Sequence, residues 1–502
     1  MKKRILALLL TMPLALVSCA SPVAVPSPAE DIPPPEDTPA PTPTPEPSPT
    51  PEPTPPPEPL KPFPQKADYT FGPALPTDAV NPDETVLGLF LEILNENLIV
   101  DSTSPADRDG FRLVLQHTLG WELSEGSIDY SSINVSESQG YGMLMLAYLS
   151  GCEDWLNEKG YTWIYDCTSL QQYYDAMLRT VRRFPSSIGP SLFTWELFGY
   201  RDASRPEGYE VVDGVKTAPF YQDPGDADSA LDGDMDIIYS LLLADQQWGS
   251  GGRYNYKEIA LTMLGDLWDY CVHREYKTLL LGDWASRTRD TTLNSATRSS
   301  DFILGHLAAY AAADPDHDWN AVLDATLNVI AEIRDAEDAL GEDHQNGLLP
   351  DFVIRKDGKW IVPPGYVLEG NDGDYSYNAC RNPWRLGTYY MLYGDRDLGN
   401  GKTLYDAVIA PLDAFAKTLS GGSALDNFGP MDLTGNNSGY GYTEPTLFAP
   451  PFLVTAAAAK DADPAWVELF YTGGAAEFTG DTYSDYIKLL VLITASGNWW
   501  VP

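Results

Sequence analysis

The stretch ALDGDMDIIYSLLLADQQW, Ala230 to Trp248, carries the pattern that decides the fold. Asp232, Asp234 and Asp236 precede an apolar run in which Ile237, Ser240, Leu241 and Ala244 fall on one helix face. This spacing predicts a helix over Met235–Trp248. Three acids at a helix start complement the positive end of its dipole, so their position alone does not make them a site. Calcium fits poorly, because the loop lacks the alternating ligand spacing and terminal Glu of an EF-hand.

The same periodicity recurs on both sides. Phe302, Ile303, His306, Leu307 and Tyr310 mark a helix over Ser300–Ala313, started by Ser300 and ended by Asp314-Pro315. Further helices are predicted over Glu84–Asn97, Gly140–Leu149, Leu170–Phe184, Tyr256–Cys271 and Trp319–Ala336. After these come Trp384–Tyr393, Leu404–Thr418, Leu447–Lys460 and Ser484–Thr494. Strand signals are few, at Phe352–Arg355 and Lys359–Val362. About a dozen helices joined by long Gly- and Asp-rich loops predict an all-α helical toroid, with function on the loops.

At 502 residues and 43% apolar content the chain has ample core. Its net charge of −40 argues against any nucleic-acid surface, which would need Lys and Arg against phosphate. Only 7 of the 72 acids lie before residue 66, so the acidity belongs to the folded part. It would attract a cationic polymer. With 13 Trp and 29 Tyr, a sugar-binding groove is worth testing.

The chain begins with Lys2, Lys3 and Arg4 and an apolar run from Ile5 to Val17, too short for an ordinary span. Leu16-Val17-Ser18-Cys19 follows and resembles a bacterial lipobox. Residues 1–19 are therefore expected to be a lipoprotein signal with Cys19 lipidated. Residues 20–65 hold 20 of the 42 prolines and are expected to form an extended, disordered stalk. Residues 66–502 are expected to be one catalytic domain. The expected location is the extracellular face of a bacterial membrane, or the medium, with the membrane touched only through the lipid. Cys152 and Cys167 are close enough in sequence for a disulfide, and four buried thiols, with Cys271 and Cys380, are equally compatible.

Two other acidic clusters stand out. VSESQGYGM, Val135–Met143, places Glu137 at a helix start, where free N–H groups gather. LEGNDGDYSYNACRNPWR, Leu368–Arg385, sets Glu369, Asp372 and Asp374 beside Tyr375, Tyr377, Arg381 and Trp384. Such a mixture suits sugar rings, which stack on flat faces and hydrogen-bond to charged groups. Five His, with no G-x-S-x-G, C-x-x-C, HExxH or phosphate loop, leave paired-carboxylate chemistry as the supported class. No metal or cofactor is expected. The expected partner is a polysaccharide, bound by a monomer.

SESQGYGM, ALDGDMDIIYSLLLADQQW, TRSSDF (Thr297–Phe302) and YSYNACRNPWR, in this order, are similar to glycoside hydrolase family 8. The resemblance implies an (α/α)6 barrel that cuts β-1,4-linked glucan, xylan or chitosan with inversion. It implies that Glu137 is the general acid and that Asp232 holds the sugar at the cleavage point. Where many members carry an Asp as base, this chain has Asn378, whose amide cannot take a proton at neutral pH. The chitosanase-type subgroup has Asn there and a Glu upstream as base, which corresponds to Glu369, with Asp374 as second choice. Inversion needs the two carboxyls roughly 6.5–9.5 Å apart. Tyr141, Trp195, Tyr377 and Trp384 are candidate stacking residues, and core packing suits each about as well. Arg381 is a candidate substrate contact. A non-catalytic lipoprotein that captures polysaccharide is the competing reading, motivated by Asn378.

Overall fold

The computed structural model describes residues 58–71, 81–117, 119–120, 122–125 and 127–502. The segments expected to be the export signal, with Cys19, and most of the stalk lie outside these residues.

Twelve helices form two concentric rings. In chain order they are α1 (Pro82–Glu96), α2 (Ser136–Leu149), α3 (Leu170–Arg183), α4 (Leu231–Trp248), α5 (Tyr256–Cys271) and α6 (Leu304–Ala313). Then follow α7 (Trp319–Asp338), α8 (Asn382–Tyr393), α9 (Ala410–Ser420), α10 (Phe452–Ala458), α11 (Pro464–Phe470) and α12 (Thr482–Ala495). The even-numbered helices are apolar on most sides and buried almost throughout, as interior helices must be. Each packs on the next, α2 on α4, α4 on α6, α6 on α8, α8 on α10 and α10 on α12, and α12 closes the ring against α2. The odd-numbered helices bury one face and form the outer wall. In α3, Leu170, Tyr173, Tyr174, Met177, Leu178 and Val181 point inward, while Arg182 and Arg183 lie exposed in the last turn and complement the dipole. This is the expected (α/α)6 barrel.

The outer helices α1, α5, α7 and α11 are capped by Asn81, Asn255, Asp318 and Asp463. Among the inner helices only α12 has such a cap, from Asp481, while α2, α4, α6, α8 and α10 have none. Their N-terminal ends gather at one pole of the barrel, together with the long connecting loops.

Several expectations change. Helices α2 and α4 start four residues earlier than predicted, so Glu137 and Asp232 lie in their first turns. A 3-10 turn, Ser299–Asp301, precedes α6. The segment expected as Leu447–Lys460 is broken by Pro450 and Pro451 into Pro445–Phe448 and α10. Helix α11 was not predicted. Strands are more numerous than expected, forming three small sheets at the loops. The sheet that matters for the site pairs Ile128–Val135 with Glu196–Arg201, and Val135 lies opposite Glu196.

The domain also begins before residue 66. Leu60 and Phe63 donate backbone N–H groups to the carbonyls of Gln247 and Ser150, at the ends of α4 and α2. Ala67 donates to Gly497 and Phe71 to Met391, at the ends of α12 and α8. This strap crosses the pole opposite the uncapped helix starts and satisfies orphan carbonyls there. The four cysteines among the described residues, Cys152, Cys167, Cys271 and Cys380, are buried free thiols.

Candidate active site

Two glycines explain why Glu137 and Asp232 meet. A Cβ on Gly233 would lie 2.3 Å from Ser136 Oγ, and one on Gly140 would lie 2.7 Å from Asp236 Cβ. Helices α2 and α4 therefore cross in backbone contact at their first turns, which only glycine permits. Strand pairing fixes the entry to α2, because Ser136 N–H donates to the Trp195 carbonyl at 2.8 Å.

Arg381, in the 3-10 turn before α8, joins the two acids. Its Nη1 lies 2.7 Å from Glu137 Oε1 and 2.8 Å from Asp232 Oδ2, and it also reaches the Tyr141 hydroxyl at 3.3 Å. The Arg381 side chain is 1% exposed. Arg298 makes a second contact to Asp232, at 3.2 Å, and a contact to Asp301 at 3.2 Å. Two guanidiniums thus share three carboxyls. Burial alone would raise Asp232, but Arg298 and Arg381 outweigh it and hold its carboxyl below the usual carboxylate range. Burial and the negative Asp232 push Glu137 the other way, up to about 8, against the pull of Arg381. One acid is kept ionised and its neighbour protonated near neutrality, a division expected of a stabilising carboxylate and a proton donor. The Glu137 side chain keeps 27% of its surface accessible, so it can meet a ligand.

The other cluster comes to the same centre through Asn378. The amide Oδ1 accepts from Arg381 Nη2 at 3.2 Å, and Nδ2 lies 3.4 Å from Glu369 Oε2. Glu369 is exposed on a turn built by Asp372, whose carboxylate accepts the backbone N–H groups of Val367, Leu368 and Glu369. Asp374 is turned elsewhere, accepting the Tyr440 hydroxyl at 2.9 Å. The three acids thus divide into one exposed toward the centre, one shaping the turn and one fastening a neighbouring loop.

The acids of α4 divide in the same way. Asp234 accepts the Phe193 N–H, and Asp236 is buried against Arg385 at 2.5 Å and His306 at 2.8 Å. Those two hold the barrel together below the site.

The aromatic candidates also separate. Tyr377 is 37% exposed and donates to Glu444 at 2.7 Å beside Tyr442, itself 45% exposed. Trp195 is half-buried on the loop that holds the start of α2. Trp384 is fully buried, with Arg385 3.9 Å above its ring and its Nε1 bonded to Thr494. It offers no face to a sugar, and the expectation of stacking there is corrected. Tyr141 is 1% exposed and packs edge-on to Trp384, so it supports Arg381 from below rather than stacking on substrate. Arg381 likewise reaches carboxylates and not open solvent.

Sequence reading missed Arg298, Asp301 and Asp351. The first two lie inside TRSSDF, where a lone Arg three residues before a lone Asp was the available signal. Asp351 stands alone in an apolar stretch, and nothing near it in the sequence points to the site. Among the described residues no group of three His, Cys, Asp or Glu side chains is arranged to hold a metal ion.

With this geometry in place, residues 214–408 match the profile described as Glycosyl hydrolases family 8. A β-glucanase of Niallia circulans is 32% identical over 442 residues, covering 88% of this chain and 91% of that protein. An endoglucanase of Bacillus sp. strain KSM-330 is 29% identical, covering 76% and 70% of the two chains. The apo structure of a β-1,3-1,4-glucanase from Paenibacillus sp. X4 superposes with a TM-score of 0.69 at 30% identity. It covers 88% of this chain and 99% of that one.

Proposed function

The chain belongs to glycosyl hydrolases family 8 and is an endo-acting glycoside hydrolase, and from that premise we propose that it cleaves β-1,4 bonds in β-glucan by inversion, with Glu137 as acid and Glu369 as base. The observation that carries this reading is the sharing of Arg381 between Glu137 and Asp232, which leaves one acid protonated and the other charged. Glu137 gives its proton to the leaving glycosidic oxygen as the C–O bond breaks. Asp232 receives a sugar hydroxyl and stabilises positive charge developing at the ring. Glu369 takes a proton from the water that attacks the anomeric carbon. Asp374 is the weaker candidate for that step, because its carboxylate is bound to Tyr440. Tyr377 and Trp195 supply faces to neighbouring sugar rings. β-Glucan leads as substrate because the relatives named above are glucanases.

Chitosan is the second reading. It is supported by the net charge of −40, most of it carried by the folded part. Partly cationic amines would be drawn to such a surface. The proposal includes an export signal with Cys19 lipidated and a proline-rich stalk before the barrel.

The test is reducing-end release from lichenan, carboxymethyl cellulose, chitosan and xylan, with the product anomer read by NMR. Release of α-anomers from lichenan supports the reading. Binding without release would favour a capture protein, and retained β-configuration would remove Glu369 as base.

A further inference from the structure

Among the described residues Asn378 is the one side chain hydrogen-bonded to both Arg381 and Glu369. It is 8% exposed and sits at the start of the 3-10 turn that carries Arg381. Arg381 can only donate, so Asn378 must turn its oxygen toward Nη2 and its amide nitrogen the other way. Two carboxylates face that nitrogen, Glu369 Oε2 at 3.4 Å and Asp351 Oδ2 at 3.5 Å. The amide has two hydrogens, one for each. Both contacts are long, as catalytic hydrogen bonds often are in an enzyme without substrate. Asp351 is itself fixed: its Oδ1 accepts the N–H groups of Ser376 and Ala379 at 3.0 and 2.7 Å. Among the described residues Asn378 is the sole side chain bonded to the Glu369 carboxylate.

We propose that Asn378 is a positioning residue, a neutral bridge that orients Glu369 for water through its amide nitrogen while restraining Arg381 through its amide oxygen. The proposal rests on the reading of Glu369 as base and Glu137 as acid. An amide here does what neither a carboxylate nor an apolar group can. It donates to two carboxyl groups and accepts from a cation without adding charge. Glu369 keeps one oxygen, Oε1, free to face the attacking water. On the other side, Asn378 Oδ1 holds Nη2 of Arg381 while Nη1 serves Glu137 and Asp232, so the amide limits how closely the guanidinium can settle on Glu137.

The charged and titratable groups around this bridge are Asp351 and Asp372 near Glu369, and Asp232, Arg298, Arg381, Tyr141 and Tyr483 near Glu137. Their signs give a distinctive pair of results. In Asn378→Ala, Glu369 loses its donor and becomes easier to protonate, so the acidic limb of the kcat/KM profile moves up. Arg381 is released toward Glu137 and favours its ionised form, so the basic limb moves down. The bell narrows by about one pH unit in all. In the isosteric Asn378→Asp, a like charge lies beside Glu369, and Arg381 is drawn from Glu137 toward the new carboxylate. Both limbs then move up, and the bell shifts without narrowing.

The experiment is kcat and KM on lichenan from pH 4 to 10 for the wild type, both variants and Glu369→Gln. The expected result is a kcat lowered about 10-fold in Asn378→Ala with KM within a factor of two, a narrowed bell, and an upward-shifted bell in Asn378→Asp. A lowered rate with both limbs unmoved would reduce Asn378 to a structural role and overturn the proposal, as would an unchanged rate. If Asn378→Ala does not fold, the direction of the Asn378→Asp shift decides alone. Full turnover in Glu369→Gln would instead show that the underlying assignment of the base is wrong.

Discussion

The two poles of the barrel are built from the opposite ends of the same inner helices, and they treat polar groups differently. At the closed pole the strap and the C-terminal turn satisfy one another. Asn498, fully buried, accepts from Gln65 N–H at 2.9 Å and donates to Asp83 at 3.0 Å, while Lys61 lies 4.1 Å over the Trp500 ring. At the open pole three carboxyls, Glu137, Asp232 and Asp301, crowd around two guanidiniums, Arg298 and Arg381, and among the described residues Glu196 Oε1 and Asp234 Oδ2 have no hydrogen-bond partner. Stability is concentrated where the chain closes the ring. The unfavourable electrostatics needed for proton transfer are confined to the other end. Substitutions at the open pole should therefore change rate more than stability, and those at the closed pole the reverse.

The largest effect tests the open pole directly. Glu137→Gln removes the proton donor and should lower kcat at least about 100-fold, measured as reducing ends released from lichenan. Because the neutral amide no longer resists ionisation in a buried site, the variant should unfold at an equal or higher temperature. A rate within tenfold of wild type would remove Glu137 from the mechanism.

Asp232→Asn should follow, with kcat/KM lowered about 10- to 100-fold. It carries a second signature. The Asp232 charge is a principal cause, after burial, of the raised Glu137 pKa. Without that charge Arg381 acts on Glu137 alone, and the basic limb of the pH profile should fall below about 8. An unmoved limb would mean that burial by itself keeps the acid protonated.

At the closed pole, Asn498→Ala leaves buried N–H groups of the strap unpaired. The expected cost is about 1–3 kcal/mol by denaturant titration, with kcat unchanged. A comparable fall in kcat would show that the two poles are coupled through the inner helices.

This contrast also explains how much of the molecule was legible beforehand. Helices announced by a cap and an apolar stripe, such as α5 and α7, could be read residue by residue. Their rings were not assigned, although inner helices such as α2 and α12 are apolar on most sides, which is the local mark of an interior helix. The first turns of α2 and α4 look like loops, because Ser-Glu-Ser-Gln and Asp-Gly-Asp are polar, yet tertiary contact at Gly140 and Gly233 makes them helical. Helix α11 was hidden by its short length and by Gly473-Gly474 just after it, although Asp463-Pro464 is a start signal. Glu137, Asp232 and Glu369 were legible as candidates because a spaced motif carried them. Trp384 was misread as a stacking face because its motif is polar while its position, on an inner helix, is not. Asp351 and Arg298 act through partners more than 60 residues away in the case of Arg298 and 27 in that of Asp351, which no local pattern reveals.

The smallest expected effect lies at the edge of the open pole and tests whether its electrostatic strain extends beyond the reacting groups. Glu196 is 4% exposed, and burial pushes its carboxyl up to about 8, with the nearby Ser132 hydroxyl opposing the shift and Asp226 and Asp223 adding to it. The folded pKa lies above the unfolded one. Protonation therefore contributes stability that is fully present below about pH 4.5 and lost as the pH rises through about 8. Glu196→Gln keeps the shape and cannot ionise. Relative to wild type, its melting temperature should be about the same at pH 5 and a few degrees higher at pH 9, with little change in kcat on lichenan. Equal melting temperatures at pH 9 would mean that Glu196 already has a partner when folded, and that the strain ends at Glu137 and Asp232.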